Sequence, residues 1–208
     1  YGSRKELQSI IEFLARLCIH NRASLAPSAL RQAYGQLFGL VGICLNLFLF
    51  AVKFSAWPIS GSIAITADAF NNLSDAGSSV VTLLGFRLAN RKPDPEHPFG
   101  HGRMEYISGL VVAGLILLMG VELGKSSFDK ILHPEEIASS PLVLGILALS
   151  VAVKLYMFYY NRTIGKKINS AAMSATAVDS LSDVVATTAV LIATLISQFT
   201  GVLVDGWV

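Results

Sequence analysis

Residues 62–89 run SIAITADAFNNLSDAGSSVVTLLGFRLA, and the fold turns on how this stretch is read. It is long enough to cross a hydrocarbon core of about 30 Å, which takes roughly 17–25 residues. Yet it carries Asp68, Asn71 and Asp75 in its middle. Spaced i, i+3 and i+7, these three project from one helical face. An Asp at the centre of a membrane helix costs about 2.5–3.5 kcal/mol on the insertion scale, so it is retained only for a reason. Four further stretches of spanning length surround it, near 34–57, 104–128, 141–163 and 170–199. The expected fold is therefore all-α, a polytopic transmembrane helical bundle with its transmembrane domain over 34–208. Residues 1–33 form a cytoplasmic segment ahead of it. Within that segment Leu7, Ile10, Ile11, Leu14 and Leu17 recur at helical spacing, which predicts an amphipathic helix over 5–19 lying on the membrane face.

Composition agrees with a bilayer setting. The 208 residues are 53% apolar and 14% charged, with a mean hydropathy of +0.58, too apolar for an ordinary soluble domain. A formal charge of +2, with no Lys/Arg-rich block, argues against a nucleic-acid partner. Cys18 and Cys44 have neither zinc-ligand spacing nor scaffold density and are read as free thiols. The N-terminal residues mix charges with apolar residues and lack the clean core of a cleavable signal peptide. Lys and Arg alternate between loops: Arg4, Lys5, Arg16, Arg22 and Arg31 at the start, Arg91 and Lys92 in the second loop, Arg162, Lys166 and Lys167 around the fourth. The positive-inside rule then puts the N-terminus, second loop and fourth loop in the cytoplasm. Residues 201–208, with Trp207 at interface depth, look like the lead-in to another span, as in a fragment of a longer chain.

The fifth span holds Asp179 and Asp183, one turn apart on one face. Asn71-Asn72-Leu73-Ser74-Asp75 and Asp179-Ser180-Leu181-Ser182-Asp183 share an Asx-x-Leu-Ser-Asp pattern. Two such faces brought together place four oxygen-bearing side chains, Asn71, Asp75, Asp179 and Asp183, around one point: a cation site. Carboxylates crowded at mid-membrane repel one another, and a divalent cation relieves that repulsion while protons leave, so metal–proton exchange follows from the coupling. The structural alternative for each Asp is an interhelical hydrogen bond or a pair with an intramembrane lysine. Lys53, near the outer end of span one, is expected to snorkel, whereas Lys154 is deep enough to neutralise one Asp. For Asp68 both an entry-path role and a structural hydrogen bond stay open. Glu122 is read as interfacial, and His20 and His133 as structural.

The second loop concentrates Asp94, Glu96, His97, His101 and Glu105. Imidazole with carboxylate is ordinary zinc-type ligation, so the loop is a possible second metal position. The equal alternative is a rigid surface loop fixed by Pro98 and Gly100, with Arg103 paired to Glu105 or a lipid phosphate. Two rival classes need other evidence: an intramembrane aspartyl enzyme, which requires two opposed catalytic carboxylates, and a passive cation channel.

At these residues the chain resembles the cation diffusion facilitator, or cation efflux, family. The resemblance is carried by Gly61-Ser62-Ile63-Ala64, Ala67-Asp68-Ala69, Asn71-x-x-x-Asp75, His97-Pro98-Phe99-Gly100-His101-Gly102-Arg103 and Asp179-x-x-x-Asp183. It implies a non-enzymatic six-span transporter, usually a homodimer, in the plasma membrane. Such a transporter exchanges divalent metal for protons by alternating access, without a prosthetic group. It also implies Asn71, Asp75, Asp179 and Asp183 as transport ligands, and Asp94, His97 and His101 as a loop site used by some members. The sixth span and the cytoplasmic metal-binding domain of the family are not in the sequence as given. Zinc-type members place His within the span-two or span-five motif, whereas here the set is all oxygen, suiting a harder ion. The pattern resembles the manganese branch, with Mn²⁺ expected and Fe²⁺, Co²⁺, Zn²⁺ or Cd²⁺ as alternatives.

Overall fold

The computed structural model describes residues 11–13, 15–19, 26–60, 63–95, 97–132 and 141–200. Five long helices make up most of them: α1 (Pro27–Ser60), α2 (Ile63–Ala89), α3 (Met104–Leu132), α4 (Pro141–Ile168) and α5 (Ala171–Thr200). No strand occurs among the described residues. Each helix overlies one expected span and exceeds the roughly 20 residues a bilayer core demands. Several expectations fall outside the described residues: most of the N-terminal helix (5–10 and Leu14), Gly61 and Ser62, His20, Glu96, His133, and 201–208 with Trp207.

The bundle is polar inside and apolar outside. On α2 the buried polar residues are Asn72, Asp75, Ser78, Ser79 and Thr82, while Phe70, Leu73, Val80 and Leu84 are exposed. On α5 Thr176, Asp179, Ser180 and Thr194 are buried, while Val178, Val185 and Ile192 are exposed. Water would reject that outer surface, and hydrocarbon accepts it, because a long helix satisfies its own backbone polar groups. Among the described residues, four helical stretches are long and apolar enough to cross a membrane by composition: Pro27–Ala56, Met104–Glu122, Pro141–Ile168 and Ala171–Ile196. The other expected span, α2, has 27 residues, but its inward polar face dilutes its apolar character. The protein is a multi-pass integral membrane protein.

Neighbouring helices close a ring in the order α1, α2, α3, α5, α4 and back to α1, and α2 also meets α5 over a short stretch. Small residues allow the close approaches: a Cβ on Gly85 of α2 would stand 2.1 Å from the Ser108 Oγ of α3. The α4–α5 turn is defined by local chemistry. Asn169 takes the left-handed conformation (φ 51°), the Ser170 N–H donates back to the Gly165 carbonyl at 2.9 Å, and the Met173 N–H donates to Ser170 Oγ at 3.2 Å. This is a Schellman ending followed by a serine N-cap, so α5 runs antiparallel along α4.

At the same end of the bundle, Arg31 joins three elements. Its Nη2 lies 2.6 Å from Glu105 Oε2 on α3, and its Nε donates to the Ile168 carbonyl at 2.6 Å. Glu105, expected to pair with Arg103, is therefore held by Arg31 instead. Arg103 precedes α3 and is exposed, whereas Glu105, in the first turn of α3, faces into the bundle and is buried. An apolar plug of Tyr34, Phe38, Phe86, Tyr160, Ile164 and Met173 fills this end, and Ile11, Ala15 and Ile19 of the N-terminal segment pack into it. Phe13 and Leu17 stay exposed. The segment thus docks on the bundle through a face shifted from the expected one.

Candidate transport site

The register of the α4–α5 hairpin and the helical periodicity of α2 build the site. Asn71 and Asp75 stand one turn apart on α2, Asp179 and Asp183 one turn apart on α5. The structure brings the three carboxylates together, with one oxygen from each lying within 4.8 Å of the others. Asn71 completes the group, its Nδ2 3.4 Å from Asp183 Oδ1. The amide oxygen and nitrogen can exchange places by a flip, so the oxygen can be offered to a cation. Asp75 and Asp179 are buried and Asp183 half-buried. Asp75 Oδ1 is buried with no hydrogen-bond partner among the described residues, an open acceptor inside the cluster. The four residues the sequence pointed to are thus one constellation.

The site also contains a cation of the chain's own. Lys154 of α4 places Nζ 2.5 Å from Asp75 Oδ2 and 2.7 Å from Asp183 Oδ2. The sequence allowed it to neutralise one Asp; it bridges two. Lys154 lies 15 residues before Asn169 and Asp183 lies 13 after Ser170, so the antiparallel register sets them at nearly the same height, within reach of a lysine stem.

Asp68 lies nearer the α1–α2 break and stays out of this cluster. Its Oδ2 is 2.7 Å from Lys53 Nζ, whose side chain is only 2% exposed. Lys53 therefore does not snorkel: it faces α2 and is buried in an ion pair. Glu122 is exposed, as an interfacial position would be.

Towards the plugged end, Thr82 of α2 and Thr176 of α5 touch through their hydroxyls at 3.4 Å. Beside them Ser79, Thr82, Tyr160, Asn161 and Thr176 border a cavity of about 10 Å³. Ser79 Oγ is buried there without a partner among the described residues. Such a space holds at most about one water. A hydrated ion cannot pass without helix movement.

The loop residues converge as well. Gly100 (φ 77°) turns the chain so that the His97 and His101 rings come to 4.5 Å between centroids. Asp94 reaches both, 3.1 Å from His97 Nδ1 and 3.5 Å from His101 Nε2. The slight desolvation of Asp94 would raise its carboxyl, but the His97 backbone N–H and the two imidazoles outweigh it and hold the group below its ordinary value of 3.8. His101 Nδ1 is buried and unpartnered. One ligand atom from each of the three residues lies within 4.8 Å of the others, so the arrangement has the donors for a cation at the bundle's end.

Comparison with known proteins agrees with this architecture. Over 165 residues the chain is 30% identical to the manganese efflux system protein MneS of Bacillus subtilis, covering 79% of this chain and 57% of that protein. It is 30% identical over 169 residues to MneP of the same organism, also a manganese efflux system protein, covering 80% and 56%. It is 32% identical over 155 residues to the magnetosome protein MamB of Paramagnetospirillum magneticum, covering 74% and 51%. The chain spans about half the length of the curated relatives it matches. The family and the efflux proteins in it are transporters, which sets the aspartyl-enzyme reading aside. A family model described as the cation efflux transmembrane domain matches residues 39–208, and the chain belongs to that family.

Proposed function

We propose that this chain forms the transport core of a divalent-metal exporter that carries Mn²⁺ outward in exchange for protons. The observation that carries the reading is the convergence of Asp75, Asp179 and Asp183 within 4.8 Å inside a bundle whose exterior is apolar. An intramembrane carboxylate cluster is costly to keep and marks an ion path. Asn71, Asp75, Asp179 and Asp183 are the ligands. All their donors are oxygen, or an amide that presents oxygen, which favours a hard ion over the softer metals that take imidazole or thiolate. The names of the MneS and MneP relatives support the same ion.

Transport proceeds by alternating access. The apolar plug and the Thr82–Thr176 contact close one end, which positive-inside reasoning places on the cytoplasmic side with the N-terminus. Opening that end admits the metal, which displaces protons from the carboxylates, and protons entering from the other side release it. The proposal includes a homodimer in the plasma membrane and a second metal position at Asp94, His97 and His101.

The test is metal uptake into proteoliposomes of the full-length protein with an internal pH dye. Mn²⁺ movement with opposing proton flux, lost in Asp183→Ala, is the expected result. Full flux in Asp183→Ala would remove the site. Proton-independent, electrogenic flux would make the protein a channel, and a preference for Zn²⁺ would overturn the ion assignment alone.

A further inference from the structure

We infer that Lys154 is a specificity-determining residue of the transport site. Its ammonium, tethered on α4, competes with the arriving ion for the same carboxylate oxygens and so rejects monovalent cations. The inference rests on the reading above that Asp75, Asp179 and Asp183 bind the transported metal.

Lys154 Nζ stands 2.5 Å from Asp75 Oδ2 and 2.7 Å from Asp183 Oδ2, with all three side chains largely buried. Mn²⁺ and similar ions bind oxygen at about 2.0–2.6 Å. An ion held by the three carboxylates would therefore occupy the space the ammonium fills, and the two exclude each other by volume and by charge. The tether sets the terms of the contest. A group held on a short flexible stem presents an effective concentration of millimolar or more at its partner. A sodium or potassium ion brings the same single charge as the ammonium and gains nothing in exchange for displacing it. A divalent ion brings twice the charge and also engages Asp179, which has no bond to Lys154 among the described residues. The displaced ammonium has an acceptor nearby. Ser150, one turn earlier on the same face of α4, has a buried hydroxyl without a partner among the described residues.

The same contest lowers divalent affinity and eases release. When the metal leaves, the ammonium returns to Asp75 and Asp183, so the carboxylates are not left to repel one another while the carrier resets. Lys53 does not share this role. It meets the single carboxylate of Asp68, away from the three-carboxylate cluster.

The experiment is Mn²⁺ titration of the full-length protein in detergent, in choline chloride and in sodium chloride of equal ionic strength. Lys154→Met is expected to bind Mn²⁺ about tenfold or more tightly than wild type in choline, and to lose about threefold or more of that gain in sodium. Wild type and Lys154→Arg should be indifferent to the swap. In proteoliposomes net Mn²⁺ uptake by Lys154→Met should fall about tenfold further than its Mn²⁺/Mn²⁺ exchange, because both need metal release but only net uptake needs the unloaded carrier to return. Unchanged or weaker Mn²⁺ binding by Lys154→Met, or exchange and net uptake falling together, would overturn the inference and leave Lys154 as a structural ion pair. Wild type provides an arm independent of any variant's folding: sodium that weakens its Mn²⁺ binding about threefold also overturns it. If wild type shows no Asp183-dependent Mn²⁺ binding at all, the proposed function fails. If that binding is present but the Lys154→Met affinity is unchanged, only this inference fails.

Discussion

Replacing Asp68 with Asn separates the two roles its position allows. Lys53 Nζ sits 2.7 Å from Asp68 Oδ2, with side-chain exposures of 2% and 30%. Removing one member of a buried ion pair leaves the other charge uncompensated and costs about 3–5 kcal/mol. The carboxylate keeps some access to its surroundings, which places the loss at the low end, about 3 kcal/mol. At roughly 2–4 °C per kcal/mol for a chain of this size, Asp68→Asn should melt about 6–12 °C below wild type. Removing both charges removes the penalty, so Lys53→Met/Asp68→Leu should return to within about 1 kcal/mol of wild type or exceed it. The four-protein cycle of wild type, Lys53→Met, Asp68→Leu and the double variant, followed by intrinsic fluorescence during heating in detergent, isolates the pair energy. Transport then decides the role: a stable double variant that still moves Mn²⁺ makes the pair structural, and a stable one that does not makes Asp68 part of the path. A melting point for Asp68→Asn within about 2 °C of wild type would refute the burial argument.

Asp179 and Asp183 should separate on stability but not on metal. Each change to Asn should weaken Mn²⁺ binding about 30-fold or more, since removing one partner of a buried charge contact costs roughly 2–5 kcal/mol. Only Asp183→Asn, which loses the 2.7 Å bond from Lys154, should also lower the melting point, by the equivalent of about 1.5–3 kcal/mol. Asn71→His puts an imidazole beside Asp183 and should move preference from Mn²⁺ towards Zn²⁺, read by competitive uptake; an unchanged preference would sink the ligand-hardness argument. Arg31→Ala strands the buried Glu105 and frees the α4–α5 turn. It should cost about 3 kcal/mol in thermal unfolding, partly recovered by adding Glu105→Gln.

The span positions and the inward polar faces were legible because both follow from short-range pattern: helix length against bilayer thickness, and carboxylates at helical spacing. The Asx-x-Leu-Ser-Asp echo marks α2 and α5 as partners even though α3 and α4 lie between them in the chain. What pattern could not supply was the partner of each isolated charge. Distance to the end of the span lets Lys53 snorkel, but depth does not fix direction, and its side chain points at α2. Arg103 was offered to Glu105 because they are close in sequence, whereas a buried carboxylate takes the cation that reaches the interior, here Arg31 from another helix. In the N-terminal segment, apolar residues occupy more than one face, so periodicity alone could not choose the face that docks.

The two intramembrane lysines show how much of this was recoverable. In antiparallel hairpins, residues at equal distances from the turn share a height. The α1–α2 break at 61–62 pairs Lys53 with Asp68, and the Asn169–Ser170 turn pairs Lys154 with Asp183. Each lysine is on the earlier helix, two residues farther from the turn than its aspartate on the later one, so hairpin register sets each pair at nearly one height and the long stem closes the offset. Register cannot bring in the third helix, because α2 and α5 are not consecutive, and that is what makes the two pairs differ. Lys53 meets one carboxylate, and the charges close one against one. Lys154 meets Asp183 and also Asp75, with Asp179 beside them and Asp75 Oδ1 still without a donor. One ammonium cannot satisfy three carboxylates. The two pairs therefore differ in balance: at one depth the charges close one against one, and at the other three carboxylates share a single ammonium.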